Sequence, residues 1–367
     1  MSSLEHRAGG RDTAAMVSIT PTGALPLAPA STLRDRSIDI SRMAAAFLIV
    51  VFHAAEAYSM SGGGPFFGRP LWSVVGDLSL WGRVPFFFFL SGCFAARSLQ
   101  KNPGDPGALV KKRLTALLPP YLFWNLVSIL MIWIAVSQGF GSAYGGGFSL
   151  SGALAQLTGI GSAPANGPLW FVRDLMICSC LAPLLSRAGV WLLIPCVALA
   201  TFPEIPEAWI SKGCIRPSSL GYFGIGMLMN LVPRGTIKML FPKPGWGALL
   251  CIGLGLARTA LGMLKPALSG VACGALGIVL IGIFVDQSMP KLAAWLGRHA
   301  NSSFLIFAAN VPFLAAARQF YPLLPWKLPL LAYYGLMALI FVSLAIGAHS
   351  LLKRYTPKLL FVVSGGR

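Results

Sequence analysis

The sequence is short of charge. Only 11% of its 367 residues are Asp, Glu, Lys or Arg, and acids are the scarcer sign, 11 against 29 Lys and Arg. Soluble domains carry roughly 25% charged residues. A chain this poor in charge and 56% hydrophobic falls outside that class and reads as a polytopic integral membrane protein. The net charge of +18 does not point to nucleic acid. The bases stand in short clusters between apolar runs, as in cytoplasmic loops facing anionic headgroups, and no basic domain interleaved with aromatics is present. A metal-binding cysteine pattern is also missing. Cys93, Cys178, Cys180, Cys196, Cys214, Cys251 and Cys273 fall mostly inside apolar runs, and Cys178-Ser-Cys180 lacks a second Cys or His pair, so no metal is expected. These cysteines read as small core residues. Residues 1–33 lack the continuous apolar stretch of a signal peptide. Rich in Ala, Pro, Ser, Thr and Gly, they read as a disordered cytoplasmic tail. No internal repeat of the kind built into inverted-repeat transporters is visible.

What the chain does have is long apolar runs. A bilayer-spanning helix needs about 20 mostly apolar residues, and ten candidates occur, at 42–60, 80–98, 116–138, 168–187, 189–203, 218–233, 245–263, 267–286, 301–318 and 328–350. Pro and Gly inside several of them are tolerated in membrane bundles. With the N-terminus in the cytoplasm, 20 of the 29 Lys and Arg residues fall on the cytoplasmic side. They lie in the N-terminal segment, the 97–113 loop, at Arg187, between 234 and 243, at Lys291 and Arg298, and after Lys353. This asymmetry predicts both termini cytoplasmic. The expected fold is all-α, about ten transmembrane helices, with residues 34–355 as the membrane domain, 356–367 as a short cytoplasmic tail and a Gly-rich outer loop at 139–167.

The first run, RMAAAFLIVVFHA at 42–54, carries polar residues where a lipid-facing helix would not. Arg42 and His53 are eleven residues apart, and eleven steps of 100° return to within about 20° of the same direction, about 16 Å further along the axis. Glu56, three residues on, neighbours His53, and Asp39 precedes Arg42 by three. One helix face thus carries Asp, Arg, His and Glu. Ionisable groups inside a span are costly and mark function more often than anchoring. From the residues alone, a relay of protons in a transporter or flippase, or a membrane scaffold, stands beside an enzyme.

Five segments in order narrow this. RSIDISRMAAAFLIVVFHA, VPFFFFLSG at 84–92, KKRLTALLPPYLFW at 111–124, NGPLWFVRDL at 166–175 and LGRHANSSFLIFAANVPF at 296–313 together resemble the acyltransferase-3 family of membrane-bound O-acyltransferases, over most of residues 34–350. The family's hallmark, an Arg, ten residues and a His in the first span, is intact as Arg42 and His53. Two positions depart from the pattern. Ala116 stands where a second arginine of the basic segment is usual, and Asn310 stands where a histidine is usual.

The resemblance implies transfer of an acyl group, most often acetyl, from cytoplasmic acyl-CoA to a hydroxyl of a surface polysaccharide, lipid-linked glycan or similar acceptor at the cell inner membrane. Acyl-CoA is then a co-substrate, with no tightly bound cofactor. Such chemistry needs a base for the hydroxyl proton and a stabiliser for the oxyanion. His53 is the candidate base, or the nucleophile of an acyl-histidine route, and Glu56 its orienting carboxylate. The donor's phosphates call for arginine at the cytoplasmic mouth, which Arg42, Arg113 and Lys112 offer. Trp170, Arg173, Asp174 and Asn310 are candidates for the acceptor path, with an interfacial belt at Trp170 and a structural salt bridge at Arg173–Asp174 as the alternatives. Arg83, His299 and His349 read as interfacial.

Overall fold

The computed structural model describes residues 36–78, 83–138, 149–201, 215–229, 236–260, 268–324 and 328–365. The expected tail at 1–33, Cys214, Arg234, most of the Gly-rich part of the 139–167 loop and the ends of several candidate spans lie outside the described residues. Among the described residues every regular element is a helix, and a single isolated bridge joins Phe66 and Arg69.

Helix α1 runs unbroken over Arg36–Met60, with Asp39 in its first turn, where a carboxylate complements the positive end of the helix dipole. The short α2 (Leu71–Leu78) leads to α3 (Arg83–Lys101) and the long α4 (Pro106–Ser137). The start of α4 is fixed by its cap. The Asp105 carboxylate accepts from the Ala108 amide at 2.9 Å, and Pro106 occupies the first helical turn, where its missing N–H is not needed. Next come α5 (Leu150–Thr158), a single 3₁₀ turn at Gly167–Leu169, α6 (Trp170–Arg187), α7 (Leu193–Thr201), α8 (Pro217–Leu228), α9 (Thr236–Leu240), α10 (Pro244–Ala260) and α11 (Leu268–Ser288). The chain ends with α12 (Pro290–His299), a 3₁₀ turn at Ala300–Ser302, α13 (Ser303–Phe320), α14 (Leu330–Tyr355) and α15 (Pro357–Ser364).

Five of these stretches are long and apolar enough to cross a membrane: Arg36–Met60, Pro106–Ser137, Gly167–Arg187, Pro290–Leu323 and Leu330–Tyr355. Each of the ten apolar runs contains helix among the described residues, but α7 and α8 span only 9 and 12 residues. Helix α8 owes its place to small residues. A Cβ on Gly92 would run into the carbonyl of Phe223, and one on Gly226 into that of Phe89, so α3 and α8 meet backbone to backbone, the close approach that small residues give membrane helices.

Helix α1 is the centre of the bundle and packs against α2, α3, α11, α12, α13 and α14. Helices α1 and α13 run parallel. Arg42 reaches Ser303 at one end, and Arg318 reaches the Met60 sulfur at the other. The aromatic run of α3 fills the space beside them. Phe87 and Phe88 pack on Phe171 of α6 at ring distances of 5.7 and 5.0 Å, and Phe171 packs on Phe307 of α13 at 5.3 Å. Ile49 of α1 belongs to the same cluster.

Candidate functional site

Within α1, His53 and Glu56 are three residues apart on the same side of the helix. The His53 Nδ1 lies 2.8 Å from a Glu56 carboxylate oxygen. With the carboxylate ionised, that nitrogen carries the proton and donates, and the Nε2 lone pair is free for other work. The imidazole is mostly buried, at 17% exposure, while Glu56 is 45% exposed. The Phe52 ring meets His53 edge-on at 5.3 Å and Trp72 of α2 at 6.2 Å.

Eleven residues toward the N-terminus, Arg42 donates to Asp39 at 3.3 Å and to the Ser303 hydroxyl at 3.3 Å. Both contacts exceed the usual range of roughly 2.7–3.2 Å. These two bonds are long, and a phosphate offers the same donors a stronger acceptor. Nothing in the sequence singled out Ser303, although it stands in the NSSF segment that follows the α12 turn.

Asn310 lies seven residues past Ser303. Seven steps return to within about 20° of the same direction, about 10 Å along the axis, so Asn310 and Ser303 share a face of α13. The parallel pairing sets the Arg42–His53 stripe of α1 and the Ser303–Asn310 stripe of α13 in the same sense and at overlapping depths. Both stripes meet the aromatic cluster, since Ile49 sits one turn before His53 and Phe307 one turn before Asn310. Asn310 is fully buried and its amide N–H donates to the Phe307 carbonyl at 2.6 Å. A carbonyl can only accept, so this bond fixes the amide's orientation and leaves its oxygen without a partner among the described residues. Asn166 behaves likewise. Its amide donates to the Ala308 carbonyl, its backbone N–H donates to the Asn125 side-chain oxygen, and its own amide oxygen has no partner among the described residues.

The basic candidates on α4 differ from one another. Lys112 is exposed, whereas Arg113 is half-buried and makes no hydrogen bond or ion pair among the described residues. About two turns on, Pro119 and Pro120 lie inside the helix. Without an N–H, Pro120 frees the Ala116 carbonyl. The left-handed Gly365 that caps α15 packs on that carbonyl, and Trp124 Nε1 donates to the Val363 carbonyl at 2.9 Å. The segment expected as a C-terminal tail thus forms a helix docked on α4, at the very position where Ala116 replaces the family's second arginine.

On α6 the charges are bound up. Arg173 donates to one Asp174 oxygen through two nitrogens, at 3.1 and 2.9 Å, and to the Gly159 carbonyl at 2.9 Å. The other Asp174 oxygen accepts from the Arg216 amide and the Ser219 hydroxyl. Trp170 is partly buried with the Arg216 guanidinium 3.7 Å over its ring. These three residues join α5, α6 and α8. Phe171 packs toward the α1–α13 site through Phe307. His349, expected at an interface, is buried at 7% exposure, and Arg83, also expected there, is buried at 6%.

A family model described as an acyltransferase domain matches residues 35–348. The chain belongs to the acyltransferase-3 family. It is also 27% identical over 283 residues to the succinoglycan biosynthesis protein ExoH of Rhizobium meliloti (strain 1021), covering 70% of this chain and 72% of that protein. No solved structure matches. The match to the acyltransferase-3 model takes in α1 and reaches almost to the end of α14, so all the candidate residues above lie within the family domain. With its long apolar helices, this family member is a multi-pass membrane acyltransferase.

Proposed function

We propose that this protein is an acyl-CoA-dependent O-acetyltransferase of the cell inner membrane that modifies a hydroxyl of a surface polysaccharide or lipid-linked glycan. The likeness to a protein named for succinoglycan biosynthesis supports a polysaccharide acceptor. The ten apolar runs and the sidedness of the bases support ten spans with both termini in the cytoplasm. The observation that carries the reading is the His53–Glu56 pair on an apolar span, in line with an arginine about 16 Å nearer the cytoplasm.

In this reading the donor's phosphates dock on Arg42, whose long hydrogen bonds to Asp39 and Ser303 give way to charge-assisted ones, and on Arg113, which has no hydrogen bond among the described residues. Lys112 adds charge at the surface. The donor's flexible arm carries the thioester along the Arg42–His53 face. Glu56 holds the Nδ1–H of His53. The Nε2 then takes the proton of the acceptor hydroxyl as its oxygen attacks the thioester carbonyl, the C–S bond breaks, and the proton passes from the imidazolium to the leaving thiolate. In the covalent variant Nε2 attacks first and the acceptor second. Single-turnover quenching without acceptor separates the two, since only the second leaves label on the protein. The unpaired amide oxygen of Asn310 is placed to accept from a substrate hydroxyl, and Trp170, Arg173 and Asp174 frame the outer end of α6.

The test is acetyl transfer. Membranes containing the protein should move label from radiolabelled acetyl-CoA into glycan, and mass spectrometry of surface glycans from cells with and without the protein should show the acetyl group. Membranes that move no label from acetyl-CoA would defeat this reading.

A further inference from the structure

Arg83 opens α3 and is an unusual cation, since it is only 6% exposed. Its guanidinium carbon lies 4.0 Å above the Phe52 ring. Phe52 is adjacent to His53, and Glu56 is its neighbour one turn on, so a cation over Phe52 sits against the His53–Glu56 turn of α1. Arg83 and Glu56 interact electrostatically.

We infer that Arg83 is a positioning residue for the proposed reaction: it sets a fixed positive charge against the His53–Glu56 turn and so holds the Glu56 carboxylate where it receives the Nδ1–H of His53. A carboxylate in an apolar span needs a counter-charge. An imidazole that supplied it, as imidazolium, would have no lone pair to accept a proton. A third group with permanent charge changes the outcome. Arginine does not release its proton in proteins, so Arg83 offers Glu56 a counter-charge that does not draw on the His53 lone pair. The Phe52 ring holds the guanidinium in place from below by a cation–π contact.

The inference rests on the proposed acetyl transfer and is tested alongside it. Arg83→Gln, Arg83→Lys, Glu56→Gln and the Arg83→Gln/Glu56→Gln double variant are compared in membranes matched for protein level, with radiolabelled acetyl-CoA as donor and endogenous glycan as acceptor. Arg83→Gln should lower kcat about tenfold, as expected of a partial loss of general-base function, with donor KM changed less than about twofold. Arg83→Lys should recover most of the rate. The double variant should be no slower than the slower single one, because both changes disable the same unit, and non-additivity of this kind marks coupled groups. Phe52→Leu, which keeps the charge and removes its platform, should give a smaller loss of kcat. Losses that multiply in the double variant, or a fall in protein level with kcat unchanged, would make Arg83 a purely structural residue and overturn the inference. His53→Ala, run in the same series, reports on the underlying reading separately. If it retains transfer, the proposed site fails whatever Arg83 does.

Discussion

The Arg173–Asp174 and His53–Glu56 pairs both lie on helices of this protein, and they are built differently. Asp174 has no exposure, and both of its oxygens are occupied, one by the Arg173 fork and the other by a backbone amide and a serine hydroxyl. Glu56 accepts from an imidazole and is 45% exposed, and that imidazole has a second nitrogen beyond this bond. A carboxylate with both oxygens committed and no exposure holds helices together. One with an open side can change its partners during a reaction. Sequence spacing alone does not distinguish these cases. Burial does.

The sharpest way to break the comparison is to remove the reactive member. His53→Ala should insert normally, bind acetyl-CoA and transfer almost nothing. A base contributes about 10²–10⁴-fold, and a covalent role would make the loss near total. If transfer in matched membranes stays above a few per cent of wild type, His53 is a packing residue and the pair resembles Arg173–Asp174 after all. The opposite variant is Asp174→Ala, which leaves the Arg173 guanidinium buried without its carboxylate. Removing one partner of a buried pair costs roughly 3–5 kcal/mol. The protein should therefore be scarcer and melt earlier in detergent, while the folded fraction keeps its donor affinity. Normal stability with lost transfer would move Asp174 into the reactive class.

Much of this arrangement was legible in the sequence, for physical reasons that also explain the gaps. The Arg42–His53 stripe could be read because helix periodicity shows clearly against an apolar background, and α1 is indeed continuous from Arg36 to Met60. The burial of Arg83 could not, because hydropathy places a charge at the end of a run and knows nothing of the Phe52 ring that covers it. The Asn166–Ala308 bond joins residues 142 apart, and local pattern carries no such information. Helix α15 is too short to span and follows a basic cluster, so it reads as a tail. It is ordered by what it meets, the Trp124 indole and the carbonyl freed by Pro120.

A smaller effect sharpens the comparison at the donor end. The bonds of Arg42 to Asp39 and Ser303, at 3.3 Å, are longer than those of Arg173, and we expect its donors to be redirected to a phosphate. Lysine cannot reproduce the planar fork. Arg42→Lys should insert and fold normally yet lose a charge-assisted contact worth roughly 1.5–3 kcal/mol, on the order of ten- to a hundredfold in acetyl-CoA affinity. Isothermal titration or competition binding in detergent is the measurement. Unchanged affinity in Arg42→Lys and Arg42→Ala would reduce the residue to a topological anchor.

The smallest effect tests what Glu56 contributes. Glu56→Gln keeps the shape and a carbonyl that still accepts from His53 Nδ1–H, so the ring stays oriented. What goes is the negative charge that stabilises the imidazolium formed once Nε2 has taken the hydroxyl proton. The loss should appear in kcat, about tenfold and at the low end of what a base contributes, with donor KM nearly constant. Glu56→Ala removes the orientation as well and should be slower than Glu56→Gln. The order matters more than the size, because a structural carboxylate like Asp174 would show its loss in melting temperature and protein level, with kcat of the surviving enzyme intact. Equal rates for wild type, Glu56→Gln and Glu56→Ala would leave His53 to act unaided and remove Glu56 from the site.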